Sequence, residues 1–176
     1  MAPATKSIKP LTLTFTDDGI VPNNPALPLV LMRGVLDFAG SPDPEQLTEA
    51  IFRRNGWGNI WRNGIFHYVH YHSMIHEAMG IARGRAQVRF GGAEGSEINL
   101  TAGDVVVVPA GVGHQCQWAD PNLVVVGAYP PTGEYNLCRS SKADHAEALK
   151  TIPHVPLPET DPVFGAGGPL MRLWRG

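Results

Sequence analysis

Several common classes of protein are excluded by what this 176-residue chain lacks. It has two cysteines, Cys116 and Cys138, and no CxxC pair. Two cysteines in a chain without a leader segment read as free thiols rather than as a disulfide. No apolar stretch approaches the roughly 18 residues that a membrane span requires. Met1 to Pro10 carries two lysines and no apolar segment, so it is no secretory signal and is expected to be a short mobile tail. There is no basic run, and the formal net charge is −2, which speaks against a nucleic-acid partner because such grooves need a basic stripe. No internal repeat and no low-complexity linker divides the chain, so one domain is expected. These absences point to a soluble, cytoplasmic protein.

What is present is turn-forming and apolar. Glycine (20) and proline (16) are abundant, and 43% of residues are apolar against 17% charged, a globular balance that favours many short strands. One helix is predicted over 44–54. Asp43 is its N-cap, Pro44 its first residue and Gln46 the capping-box partner, with Asn55-Gly56 as the stop. Leu47, Ala50 and Ile51 share the face expected to pack on the body. Strands are predicted at Leu29 to Met32, Phe66 to His72, Glu77 to Ile81, Arg85 to Phe90, Glu97 to Thr101, Val105 to Val108, His114 to Trp118 and Leu123 to Tyr129. The four valines of Val105 to Val108 read as a strand buried on both faces. Gly91, Gly92 and Gly95 mark a hairpin. Asp144 to Thr151 suits a short helix, and the proline-rich stretch 150–176 an extended strap, with Trp174 as a packing anchor. Leu11 to Phe15 alternates like an edge strand able to pair with a second copy, which makes a homodimer the expected assembly.

The chemistry concentrates in two segments. Residues two apart on a strand share a face, so His70 and His72 project together, a natural pincer for a metal. A bend before Glu77 would return that carboxylate to the same face, adding a hard oxygen ligand. His76 is the rival if the bend is one residue shorter. Further on, Gly103 begins a unit ending in Pro109, Gly111 and His114, where a third imidazole becomes available. By alternation, Tyr68, Met79, Ile81, Cys116 and Trp118 are candidates for the wall of a substrate pocket. His67, His145 and His154 read as ordinary polar residues.

These two segments resemble the paired motifs of the cupin superfamily. From Gly64 to Gly84 the chain matches the first motif, a glycine, five residues, HxH, four residues, a glutamate, six residues and a glycine. From Gly103 through His114 it matches the second, a glycine, five residues, PxG, two residues and a histidine. The second motif ends in asparagine in the family, whereas Trp118 stands here, which puts the packing around the site in question rather than metal binding. The motifs span residues 64–118, about a third of the chain. The HYHSMIHEAMG, AGDVVVVPAGVGH, VVGAYP and VPLPETDPVFG segments extend the likeness, over most of the chain, to small single-domain bacterial cupins of unsettled activity.

The resemblance implies an all-β fold, a double-stranded β-helix or jelly-roll barrel with its core at about 60–130 and one or two short peripheral helices. It implies one divalent transition metal per chain, held by His70, His72, Glu77 and His114. Three neutral imidazoles and a carboxylate suit Fe, Mn, Ni, Zn or Cu. Four protein ligands on a six-coordinate ion leave two positions open for substrate, water or O₂. The expected function is that of a small-molecule metalloenzyme of oxygenase or isomerase type. A non-catalytic ligand-binding or sensing module is the alternative.

Overall fold

The computed structural model describes residues 8–176, so most of the expected N-terminal tail lies outside the described residues. Two antiparallel sheets face each other. The first runs in the order β1 (Leu11–Leu13), β2 (Leu29–Met32), β8 (Val105–Val108), β5 (Glu77–Arg83), β10 (Val124–Tyr129), β3 (Gly58–Asn63). The second runs β11 (Cys138–Arg139), β4 (His70–Tyr71), β9 (His114–Ala119), β6 (Arg85–Phe90), β7 (Ser96–Thr101). The crossovers between sequence neighbours in this order close the sheets into the jelly-roll barrel of the cupins.

Strand alternation sorts the apolar residues into two cores. Met79, Ile81, Val106, Val108 and Val125 of the first sheet meet Val88, Phe90, Leu100 and Cys116 of the second inside the barrel. Their sequence neighbours Ala78, Ala82, Val105, Val107 and Val126 point outward, beneath α1 (Pro44–Arg54) and the C-terminal segment. The valine run of β8 is therefore buried on both faces.

The helix α1 spans the predicted residues, with the Asp43 carboxylate accepting from Gln46 N at 2.9 Å. The face it buries is the expected one in part: Ile51 is buried and Leu47 packs on the core, but Ala50 does not. Pro44, Glu45, Thr48, Ile51 and Phe52 face inward, while Ala50 is exposed. The rotation follows from Gly80 on β5, where the missing side chain lets Thr48 and Phe52 approach the sheet: a Cβ there would lie 2.6 Å from Thr48 Cγ2. Glu45 is drawn in with them by Arg83, whose Nη2 reaches Glu45 Oε2 at 3.1 Å.

The C-terminal region is less extended than its prolines suggest. α2 (Lys142–Thr151) leads into a 3₁₀ turn at Ile152–His154, and α3 (Pro169–Arg175) closes the chain. Asp161 organises the strap between them, its buried carboxylate accepting from the backbone N–H groups of Val163, Phe164 and Leu170. Trp174 is buried and donates to Pro28 O at 2.9 Å, fastening α3 to the barrel. Among the described residues, no helix is long and apolar enough to cross a membrane.

Candidate metal centre

The predicted strand over residues 66–72 is reduced to the two-residue β4, since Phe66 to Val69 are irregular, with a bend at His67 and Tyr68. This short strand still places the histidines by alternation. Tyr71 points outward into the cluster under α2, and His70 and His72 point into the barrel. His114, the first residue of β9, pairs in register with His70 across the second sheet. One ring nitrogen from each of His70, His72 and His114 falls within 4.8 Å of the others, and all three residues are buried.

Each imidazole is oriented by a backbone carbonyl. Nδ1 of His70 lies 3.0 Å from Tyr68 O, Nδ1 of His72 2.5 Å from Asn136 O, and Nδ1 of His114 3.1 Å from Val112 O. A carbonyl only accepts, so each Nδ1 carries the proton and donates. The tautomer is thereby fixed, and Nε2 of each ring is left with a free lone pair.

Glu77 enters from the facing sheet. Its Oε2 lies 3.4 Å from His72 Nε2 and 3.3 Å from His114 Nε2. Neither approach has hydrogen-bond geometry, and Glu77 Oε2 and His114 Nε2 are buried without a hydrogen-bond partner. The other oxygen, Oε1, accepts from the Tyr129 hydroxyl at 3.1 Å, and that hydroxyl accepts from Trp61 Nε1 at 3.0 Å. Burial raises the cost of the Glu77 charge, yet His72 and His114 beside it hold the carboxyl well below the usual carboxylate range. Burial works against a charge on His72 as well, but the neighbouring carboxylate outweighs it and raises the pKa. Burial, reinforced by His114, lowers His70 to about 3, so His70 is neutral at neutral pH.

These residues fit a divalent ion. Two buried ligand-type atoms lack any other partner, the tautomers present lone pairs inward, and the donor set of imidazole nitrogen and carboxylate oxygen suits a first-row transition metal.

A cavity of about 420 Å³ opens beside His72 and Glu77. Trp61, Phe66, Tyr129 and Tyr135 form its aromatic walls, Ile65 and Met79 its apolar floor, and Asn59 and Asn63 its amide edge.

The remaining candidates from the sequence are distributed differently. His76 faces away from the cluster: its Nδ1 accepts from Ala110 N at 2.9 Å, its ring packs on Trp174, and burial lowers its pKa to about 4. Of the expected pocket residues, Met79 lines the cavity. Ile81 and Cys116 sit deeper in the barrel core. Tyr68 supplies the carbonyl that holds His70, while its ring stacks between Phe66 and the Arg139 guanidinium. Trp118 is 50% exposed on the outer surface. The cause is a bulge: Val88 pairs with Cys116 but Gln87 pairs with Trp118, so β9 has an extra residue at Gln117 and the alternation flips.

Trp61, Tyr129, Tyr135 and Asn136 were not singled out from the sequence. The one local signal was the period-two pattern Asn59, Trp61, Asn63, which places two amides and an indole on one face of a strand.

Fold and cluster together define the class: a cupin barrel carrying three histidines that can hold a metal ion. The chain belongs to the family of the uncharacterised protein YjlB of Bacillus subtilis (strain 168), with 40% identity over 163 residues, 93% of this chain and 95% of that protein. No family model matches the chain. Among solved structures, it is similar to QdtA, a sugar 3,4-ketoisomerase from Thermoanaerobacterium thermosaccharolyticum, at 14% identity and a TM-score of 0.39, covering 53% of this chain and 74% of that one. It is also similar to Bacillus subtilis oxalate decarboxylase, at 18% identity and a TM-score of 0.38, covering 64% of this chain and 27% of that one. Both likenesses are too loose to bear on activity.

Proposed function

We propose that the protein is a metal-dependent enzyme acting on a small molecule bound in the cavity, with a divalent transition metal held by His70, His72, Glu77 and His114. The supporting observation is the orientation of the imidazoles. Three Nδ1–H groups are committed to backbone carbonyls, one nitrogen of each ring joins a three-histidine cluster, and Glu77 Oε2 stands at its edge beside His72 and His114. Such carbonyl anchoring of ligand histidines is how proteins set tautomer and ring plane for metal binding. The cavity touches the cluster at His72 and Glu77, so a bound molecule would approach from that side.

When bound, a divalent ion would supply Lewis acidity or a place for O₂ to bind. The chain's own contribution is positional. Tyr129 holds Glu77 Oε1 and directs Oε2 inward, and Asn136 ties the turn after His72 by accepting from Ser73 N and Met74 N. A non-catalytic ligand-binding module is the second reading. It is favoured by the close approach of His72 and Glu77, which can balance each other's charge without a metal.

Both sheets share one barrel interior, which supports one domain. β1 is an edge strand, with Leu11 half exposed, and its pairing with a second copy would give the homodimer. A monomer mass in light scattering would remove that assembly.

The deciding experiment is metal analysis of untagged protein beside His72→Ala and His114→Ala. About one transition metal per chain is expected, lost in both variants while the circular dichroism of the barrel persists. Unchanged metal content in both variants would overturn the ligand assignment. No metal even after reconstitution would move the reading to the binding module.

A further inference from the structure

The cavity is charged at one end only. Among the described residues, Glu77 is the sole carboxylate in its lining, and no lysine or arginine lines it. The nearby guanidinium groups are engaged elsewhere. Arg62, next to Trp61 in sequence, pairs with Glu49 at 2.5 Å, and Arg139 lies 3.6 Å over the Tyr68 ring. An anionic group distant from the metal would therefore meet aromatic carbon and amides, with no counter-ion to offset its loss of water.

The walls are flat and mostly apolar. The Trp61 indole lies across Gly127, its register partner on β10, so closely that any Cβ at Gly127 would overlap the ring. Its N–H is taken by the Tyr129 hydroxyl, and the Tyr129 O–H by Glu77, so both rings offer carbon faces to the cavity rather than polar edges. Tyr135 meets Tyr129 edge-on at 5.6 Å, and Phe66 stands at the rim, 44% exposed. Away from His72 and Glu77, the polar groups of the wall are the amides of Asn59 and Asn63 and the Tyr135 hydroxyl. Asn63 Oδ1 accepts from Gly64 N at 2.8 Å, which turns its N–H₂ outward from that bond. A volume of about 420 Å³ lies toward the small end of ligand sites, which run from about 300 to 1,000 Å³.

We infer that the cavity receives a planar molecule of one or two fused rings, which presents one oxygen donor to the metal and carries no charge on the rest of its body. Phosphorylated compounds and dianions are turned away. The orientation toward the metal rests on the function proposed above, whereas the preference for a flat, uncharged body rests on the cavity walls alone.

Calorimetric titration with three probes tests this: 2-naphthol, 6-hydroxynaphthalene-2-sulfonate, which adds a distal charge, and 2-decalol, which removes planarity. Metal content is measured in parallel on the same preparations. 2-Naphthol is expected to bind at least tenfold more tightly than either analogue. Phe66→Ala should weaken 2-naphthol severalfold at unchanged metal content. Asn63→Lys should narrow the gap to the sulfonate by giving its charge a partner. Equal binding of all three probes, or no binding of 2-naphthol by metal-loaded protein, overturns the inference and leaves the metal assignment standing. A preserved 2-naphthol preference in protein that holds no metal supports the flat, uncharged body and overturns the assignment.

Discussion

An imidazole has two nitrogens, and a metal site needs to know which one is free. Here the answer comes from three carbonyls, those of Tyr68, Val112 and Asn136, each facing an Nδ1. Two of them lie two residues before the histidine they hold, so the local bend of the chain sets the ring. The third comes from 64 residues further along and closes over His72. Glu77 is controlled similarly through Tyr129, which bridges it to Trp61. Removing the bridging hydroxyl frees Oε1 to rotate and leaves the indole N–H without its acceptor. Tyr129→Phe is therefore expected to weaken metal affinity about 10- to 100-fold, the usual cost of losing a group that orients a ligand. Competition with a chromophoric chelator measures this, and an unaltered far-UV spectrum would show the barrel intact. Unchanged affinity would mean that Glu77 is held by packing alone. The four proposed ligands were legible in the sequence because His70 and His72 alternate on one strand, Glu77 follows five residues later beyond a bend, and His114 follows a recognisable turn. Tyr129, Trp61 and Asn136 were not, because only sheet pairing and loop closure bring them there.

Elements show the same division between local and tertiary causes. The bounds of α1 follow from Asp43, Pro44 and Asn55, all of which act within one turn of the helix ends. Its buried face does not, because that depends on a glycine in another element. Helical periodicity selected Leu47, Ala50 and Ile51, whereas contact with Gly80 selected Thr48 and Phe52. The Trp118 bulge is a comparable case: period-two alternation holds through Cys116 and fails at the extra residue. The α1 contact can be tested directly. Gly80→Ala would place a methyl 2.6 Å from Thr48 Cγ2 and 3.2 Å from Phe52 Cζ. The helix must then lift or Phe52 must leave its rotamer, at a cost of about 1–3 kcal/mol. Urea denaturation should show a lower midpoint at an unchanged slope. The combination Gly80→Ala with Thr48→Ser, which removes the clashing methyl, should recover part of the loss. A Gly80→Ala protein as stable as the parent would show that the helix floats on the sheet rather than packing into it.

Across the whole molecule, the proposed ligands tie together parts that the chain connects only distantly. His70 and His114 belong to the second sheet, and Glu77 to the first. A metal held by all of them would join the two sheets at the centre of the barrel, with no covalent link elsewhere, since both cysteines are free. Without the ion, the same place holds two buried ligand atoms that have lost water and gained no hydrogen bond. Each such atom costs about 1–3 kcal/mol. Binding should therefore act on stability as well as on chemistry. At a free metal concentration a thousandfold above the dissociation constant, the native state gains about 4 kcal/mol by mass action. For a chain of this length, each kcal/mol moves the midpoint by about 2–4 °C. Thermal unfolding of chelator-treated protein, followed by reconstitution with excess metal, should then raise the midpoint by about 10 °C. His114→Ala should give no such rise, because it removes the ligand paired across from His70. If the parent protein binds metal but its midpoint does not move, the ion is held equally well by the unfolded chain. The three histidines and Glu77 would then not form the preorganised site that their carbonyl anchors imply.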